Sequence, residues 1–456
     1  MLEIYKNGIK ISSVLLMAIG MFAFLYVNAS ALSAEDISAE TAVLIDAETG
    51  QVLFDKGMDE RMHPASMTKI MTGLLVMESC GLDEIVTVTE EAISFPYEVS
   101  DIALVPGEEL SVDSAMYAMM LPSANDAANA LAEHVAGTQA EFAMLMTERS
   151  KRIGAMNTNF SNAHGLPDRL HYTTAYDMAL ITREAIKNSA FIKYFGTTRH
   201  TIPATNLQPE ERPFTNLQYM LLPDMWVYNP DVIGGKVGYT EPSGHTMSTA
   251  ATKDGRTLIC VVMKCGVDEK FYDTQTLLDY GFDSFNPMSI PASKLSGFTI
   301  PVLESGINVG EASFSAEKSL HILAPLGINE TDIRYQCNLP EFIENGDEPT
   351  ASVTLYIPGA IADDLPELQM VIPLKMRITY NLPIPLEISD KTTEPLMGSN
   401  ILDKIYIAVP TAILLLLFIL WIKRRLRIYH RKKRRYTNGK ARRNGGIQSY
   451  RRTPFV

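Results

Sequence analysis

The chain has 456 residues, a hydrophobic fraction of 46% and a formal net charge of −13. Its length leaves room for two or three domains. Residues 423–456 hold fourteen Lys and Arg and no Asp or Glu, so the rest of the chain stands near −27, which excludes a nucleic-acid binder.

Residues 1–31 read as an export signal. Lys6 and Lys10 precede an apolar run from Val14 to Val27, and Ala29-Ser30-Ala31 fits the small-x-small cleavage rule. The same run could remain as an uncleaved anchor, and in either case the body after Leu32 lies outside the cell. Thr41 to Asp46 is an apolar run of strand length, Ala47-Glu48-Thr49-Gly50 is a turn, and Gln51 to Phe54 is the returning strand. The hairpin leads into His63-Pro64-Ala65-Ser66-Met67-Thr68-Lys69, where Pro64 suits a helix start and the helix runs on through Met77. Glu84 to Val88 is strand-like. Ser111 to Met120 has helical periodicity, with Ser111 and Asp113 as cap residues. Further helices are expected over Ala127 to Val135, Glu141 to Ile153 and from Thr174 to about Lys187, with a turn-rich loop at Phe160 to Asp168. Two strands, Thr246 to Ala251 and Thr257 to Met263, are joined by Lys253-Asp254-Gly255. Helices in the middle, flanked by early and late strands, predict an antiparallel sheet covered by helices over residues 36–285.

Residues 290–390 show short alternating strands and read as a small all-β domain. Residues 391–404 are a polar linker. Residues 405–422 form an uncharged apolar run long enough, at about 27 Å of helix, to cross a bilayer. The basic tail 423–456 follows at once, which places it inside the cell and in contact with lipid. The expected location is the cell membrane, with one C-terminal crossing and an extracellular body. The four cysteines, Cys80, Cys260, Cys265 and Cys337, show no metal-ligand spacing and are read as free, buried thiols.

The chemistry concentrates in three short motifs. Ser66 and Lys69 share one helix face. A serine hydroxyl needs a base to become a nucleophile, and a lysine amine serves once burial and neighbouring cations have lowered its pKa. A helix N-terminus at Ser66 favours developing negative charge. Ser123-Ala124-Asn125 follows, then Lys236-Val237-Gly238 ahead of the two paired strands. Ser315 to Lys318 repeats the first pattern, but in a surface turn. Bland readings stand beside these: Asn125 as a cap of the next helix, Lys236 as an edge-strand charge, His164 as a residue that structures its loop.

In order and spacing the three motifs resemble those of the serine penicillin-binding enzymes, and more narrowly those of the low-molecular-mass D-alanyl-D-alanine carboxypeptidases. The resemblance covers residues 36–390. It implies an α/β (α+β) catalytic domain of the penicillin-binding/β-lactamase type, with an antiparallel sheet flanked by helices. It implies Ser66 as nucleophile, Lys69 as base and Ser123 as proton carrier to the leaving amine. Asn125 and Lys236 would hold the substrate, Gly238 and Tyr239 would line it, and the backbone N–H groups of Ser66 and Tyr239 would form the oxyanion hole. The implied substrate is a peptidoglycan stem peptide, with β-lactams as inhibitors; no cofactor or metal is expected. Val237 departs from the family pattern, which has threonine there. A β-lactamase and a catalytically weakened wall scaffold are the competing functions.

Overall fold

The apolar run Ala42 to Ile45 in the first strand calls for cover on both faces, and the fold supplies it. The computed structural model describes residues 32–97, 99–359 and 367–381. β1 (Thr41–Asp46) and β2 (Val52–Lys56) form the expected hairpin, and every residue of β1 is buried. The nucleophile's segment begins one step tighter than expected: Ala65–Met67 is a 3₁₀ turn, and α1 (Thr68–Ser79) continues from it. β3 (Ile85–Thr87) and β4 (Glu109–Ser111) pair as a short ribbon. α2 (Val112–Met120) is capped by Ser111, whose hydroxyl accepts the Ser114 N–H, while Asp113 instead accepts from the Tyr194 hydroxyl. α3 (Asn125–Ala136) starts two residues earlier than its apolar pattern suggested.

α4 (Gln139–Ile153) and α5 (Ala175–Ala185) open on Thr138 and Thr174, each accepting a backbone N–H three residues on. α6 (Ser189–Gly196) and the small pair β5 (Arg199–Ile202) and β6 (Arg212–Thr215) were not foreseen. β7 (Val232–Thr240), β8 (Gly244–Lys253) and β9 (Arg256–Cys265) complete the sheet, with Asp254 and Gly255 both left-handed in the β8–β9 turn. The sheet order is β2-β1-β9-β8-β7, antiparallel throughout, with the third motif on edge strand β7.

Side chains alternate between two cores. Val43, Ile45, Ile259 and Val261 pack with the helices α1 to α6 on one face. Ala42, Leu44, Leu258 and Val262 pack on the other against α7 (Glu269–Asp283), a helix that sequence reading had not singled out.

From Phe285 the described chain has strands and 3₁₀ turns only. β10 (Phe285–Ile290) pairs with β13 (Leu320–Pro325), so strand structure starts before residue 290. β11 (Ser296–Glu304), β12 (Ile307–Ser315), β15 (Ile343–Glu344) and β18 (Lys375–Tyr380) form one sheet; β14 (Arg334–Asn338), β16 (Ser352–Ile357) and β17 (Leu368–Pro373) form another. The side chain of Gln51, buried at the first hairpin, donates to the Leu323 carbonyl at 2.6 Å and accepts its N–H at 2.8 Å, tying this β-rich part to the main sheet.

All four cysteines are free, but only Cys260 is fully buried; Cys80 and Cys265 are half-buried and Cys337 is exposed, which corrects the expectation of buried thiols. The export signal, the linker, the apolar run 405–422 and the basic tail lie outside the described residues. Among the described residues no helix is long and apolar enough to cross a membrane.

Candidate active site

Three elements meet at Ser66: the turn that carries it, the N-terminus of α3 and the edge strand β7. The approach is close because two residues lack a side chain. A Cβ on Gly238 would stand 2.6 Å from Ser66 N, 2.7 Å from Thr246 Oγ1 and 2.9 Å from Ala65 Cβ. A Cβ on Gly165, which is left-handed at φ 97°, would collide with the Ala65 carbonyl. The third motif needs its glycine for this contact. Thr246 Oγ1 donates to the Pro64 carbonyl at 3.0 Å and locks β8 to the same turn. Ala65 and Ser123 are themselves left-handed without being glycine, at φ 49° and 66°. Each sits at the cleft, where surrounding packing holds a conformation that costs about 1–3 kcal/mol.

Lys69 is fully buried. Its Nζ lies 2.6 Å from Asn125 Oδ1, 2.8 Å from the His164 carbonyl and 3.0 Å from Ser66 Oγ. Burial first, and the Lys236 charge second, push its pKa well below that of free lysine. A neutral amine has two N–H groups and one lone pair. The two oxygens that can only accept take the N–H groups, and the lone pair is left for the Ser66 hydroxyl. The arrangement is that of a base hydrogen-bonded to its nucleophile.

Asn125 therefore does not cap α3: Ala124 is the cap residue, and the amide is spent on Lys69. Lys236 is buried, not an edge charge in water; among the described residues its one hydrogen bond is a 3.3 Å contact to the Val237 carbonyl, and burial pulls its pKa down to about 7. Ser123 Oγ is buried without a hydrogen-bond partner. Tyr239 is exposed, and Val237 is half-buried beside it.

Ser66 lines two adjoining cavities. One, of about 560 Å³, runs past Asn125 between the loop Gly165-Leu166-Pro167 and Tyr239 to Pro242. The other, of about 290 Å³, is lined by Ser123, Val237, Gly238, Tyr239, His245 and Lys270, among others. The cleft is thus extended, with the nucleophile at its middle.

Several contributors escaped sequence reading. The His164 side chain does structure its loop, Nδ1 accepting the Leu166 N–H at 3.1 Å, but its carbonyl is a partner of the base. A main-chain oxygen has no sequence signature. Asp126 is buried and accepts the N–H groups of Ile102, Leu104 and Ala127, holding the 99–104 loop against the second motif. His171 is buried, and burial keeps its pKa at about 3. Its Nδ1 accepts the Ser161 N–H, so Nε2 carries the proton and donates to Thr68 Oγ1, next to Lys69. Lys270 brings a third lysine to the cleft, and the Phe271 ring lies 4.1 Å from its Nζ.

A family model described as D-alanyl-D-alanine carboxypeptidase matches residues 28–266. The D-alanyl-D-alanine carboxypeptidase DacF of Bacillus subtilis is 34% identical over 255 residues, which cover 54% of this chain and 63% of the relative. DacC of Escherichia coli, of the same description, is 32% identical over 272 residues, covering 57% and 64%. The chain therefore spans slightly less than two thirds of the length of these two relatives. Among solved structures, penicillin binding protein 5 from Haemophilus influenzae superposes with a TM-score of 0.58 at 25% identity, covering 75% of this chain and 96% of that one.

Proposed function

The chain belongs to the D-alanyl-D-alanine carboxypeptidase family, and from that premise we propose that it removes the terminal D-alanine from peptidoglycan stem pentapeptides through an acyl-enzyme on Ser66. The observation that carries this reading is the environment of Lys69: a buried amine with both N–H groups engaged and its remaining contact, at 3.0 Å, on the Ser66 hydroxyl.

Lys69 takes the Ser66 proton as Oγ attacks the carbonyl between the two D-alanines. The tetrahedral oxyanion is held by the N–H groups of Ser66 and Tyr239. The amine nitrogen of the leaving D-alanine needs a proton before the C–N bond breaks. Ser123, with a buried and unpartnered hydroxyl at the cleft, relays it from the Lys69 ammonium. Water then attacks the Ser66 ester, giving up a proton to Lys69; Lys69 returns that proton to Ser66 Oγ as the acyl–oxygen bond breaks, and the tetrapeptide leaves. Lys236 supplies charge for the terminal carboxylate, and a β-lactam acylates the same serine. Asn125 orients Lys69 and lines the cleft where the stem peptide's amide lies.

Residues 290–390 act as a separate small β domain that stands the site off from the membrane. The apolar run 405–422 anchors the protein, with the basic tail on anionic lipid inside and the catalytic body outside. Sequence pattern alone supports these three statements. Family membership favours the carboxypeptidase over the β-lactamase, and the intact Lys69 network favours it over a scaffold.

Labelled penicillin should acylate Ser66, and the protein should release D-alanine from a D-Ala-D-Ala pentapeptide. Acylation without D-alanine release, with rapid hydrolysis of the penicillin, would instead establish a β-lactamase. No acylation at all would establish the scaffold.

A further inference from the structure

α1 and α3 both begin at the cleft, where Lys69 bonds Asn125, and their far ends also converge. Cys80 follows the last residue of α1, His134 lies in the last turn of α3, and Glu84 stands just before β3. The ligating atoms of these three side chains all lie within 4.8 Å of one another. His134 Nε2 is 3.0 Å from Glu84 Oε2, and the other carboxylate oxygen accepts the Gly81 N–H at 2.6 Å, so the carboxylate is aimed by the backbone. The turn that carries Glu84 is itself pinned to the start of α2, through Val112 N to the Glu84 carbonyl and Asp113 N to the Leu82 carbonyl.

We infer that Cys80, Glu84 and His134 form a binding site for one divalent transition-metal ion, with zinc the best match. A thiolate, an imidazole and a carboxylate are the ligand types zinc takes, at about 2.0–2.3 Å each. Donors that far from one ion stand roughly 3.3–3.6 Å apart around a tetrahedron; the three atoms, all within 4.8 Å of one another, are already close to that spacing. Cys80 and His134 are half-buried and Glu84 is exposed, so the ion can enter from solvent and water can fill the fourth position. Binding replaces the Cys80 S–H bond by a sulfur–metal bond and releases that proton to solvent. His134 binds through the Nε2 lone pair with its ring proton on Nδ1, so the imidazole is a neutral ligand. The ion would staple together the far ends of the two helices whose near ends hold the base. The distance along α1 from the site to Ser66, twelve residues of helix, is about 18 Å. The role is therefore structural. It revises the expectation that no metal is bound, and it does not depend on the proposed activity. The ligands lie four and then fifty residues apart in sequence, a spacing that no short motif captures.

The test uses the full chain, reduced and stripped of metal with a chelator, then titrated with zinc or cobalt(II). The wild-type protein should retain one equivalent of zinc after desalting. It should release protons on zinc addition, and its cobalt form should show a thiolate-to-cobalt charge-transfer band. Zinc should raise its thermal midpoint. Cys80→Ser and His134→Gln should each weaken zinc binding by about 100-fold or more and lose the midpoint shift, while Cys337→Ser should behave as wild type. If Cys80→Ser fails to fold, His134→Gln, a change at a partly exposed position, decides. The inference is overturned if the stripped protein takes up no stoichiometric zinc, if the cobalt spectrum lacks the thiolate band, or if both substitutions bind as wild type. In any of these cases the His134–Glu84 contact is a hydrogen bond with a thiol nearby and nothing more.

Discussion

Before Phe285 the chain buries Lys69, Lys236, Asp126, His164, His171, Asp177 and Asp273; beyond it, among the described residues, the one buried polar side chain is Thr354. Backbone strain divides the same way. Ala65, Ala103 and Ser123 are left-handed without being glycine and lie at or beside the cleft, and Asp254, in the β8–β9 turn, and Lys264, near the end of β9, share that conformation. In the β-rich part Ser305 alone does so, in the two-residue turn between β11 and β12 that calls for that conformation. The second region follows the general rules for folding: apolar side chains inside, turn residues in turns. The first breaks them at several places: Lys69, Lys236, Asp126, His164 and His171 gather around Ser66, while Asp46 and Asp273 hold the first hairpin turn and the Ser38-Ala39 segment. Buried charge and strained backbone both cost stability. Where several of them gather at one cleft, as they do around Ser66, they mark a site held ready for chemistry, independent of any motif.

The largest effect that this contrast predicts is on catalysis without stability. Ser66→Ala should remove penicillin labelling and lower D-alanine release by about 10⁴-fold or more, because nucleophile and base act as a unit. Its denaturant midpoint should stay close to the wild-type value, since the half-buried hydroxyl gives up one hydrogen bond, to Lys69, which keeps its contacts with Asn125 and the His164 carbonyl. A variant that still turned over substrate would move the chemistry away from this cleft altogether.

Two glycine substitutions sharpen the contrast further. In Gly238→Ala the new methyl meets Ser66 N, Thr246 Oγ1 and Ala65 Cβ, none of which is the free end of a flexible chain. Strand and nucleophile must part. A displacement of about 1 Å at a reacting centre costs on the order of 100-fold in rate, and overpacking adds about 1–3 kcal/mol of destabilisation. Gly306→Ala, at φ 78° with no atom within 4 Å, should cost about 1–2 kcal/mol of stability through backbone strain and leave acylation untouched. Penicillin acylation rates and urea midpoints on the two variants give the comparison directly. Equal losses of activity would mean that the two regions are not functionally distinct in the way their interiors suggest.

The buried lysines make activity and stability respond to pH in opposite directions. Lys236 has its pKa lowered by burial to about 7 and must be charged to attract a carboxylate. The kcat/KM for the peptide should therefore fall up to tenfold per pH unit above about 7, and less in kcat, because bound carboxylate supplies the missing partner. In the unfolded chain the same lysine titrates at its ordinary value of 10.5, so between about 7 and 10.5 the unfolded state binds more protons and the folded state gains stability as pH rises. A kcat/KM profile that stays flat to pH 9, or stability that falls through this window, would show that Lys236 does not carry the carboxylate's counter-charge.

What sequence reading recovered follows from the kind of signal each feature leaves. Ser66 and Lys69 were legible because a helical turn converts a spacing of three into contact, and Asn125 because it begins the helix that abuts that turn. The sheet was legible through its apolar runs and the turns between them, and the first strand, Thr41–Asp46, has the bounds its run suggested. α7 was missed because its core-facing residues, Phe271, Leu277, Leu278 and Phe282, are interleaved with Asp273, Thr274, Gln275 and Asp279, which blur the apolar stripe. The His164 carbonyl was invisible because main chain carries no residue signature. Lys270 was invisible because only the return of α7 to the sheet brings it to the cleft. The Cys80, Glu84 and His134 group belongs to the same class: three ordinary residues that only tertiary packing assembles.

The smallest effect concerns Val237, the position at which the third motif departs from the family pattern. Its side chain is half-buried, packs with the core on the α7 face and lines the cleft next to Gly238 and Tyr239. Threonine has nearly the same volume, so Val237→Thr should fold normally while placing a hydroxyl where the substrate's carboxylate is expected. A hydrogen bond to a charged group contributes about 1.5–3 kcal/mol. Lys270 lines the same cavity and already supplies a positive charge there, so the low end applies. The expected gain in kcat/KM is then about tenfold. It should appear chiefly as a lower KM if the hydroxyl holds the carboxylate equally in ground state and transition state. Lys270→Ala should move KM the other way and further, because it removes a charge and not a dipole. The two changes also share one ligand group, so they should not be additive. If Val237→Thr leaves kcat/KM unchanged or lowers it at normal stability, while Lys270→Ala raises KM, carboxylate recognition in this cleft passes through the lysines alone, and valine is the residue around which the pocket is packed.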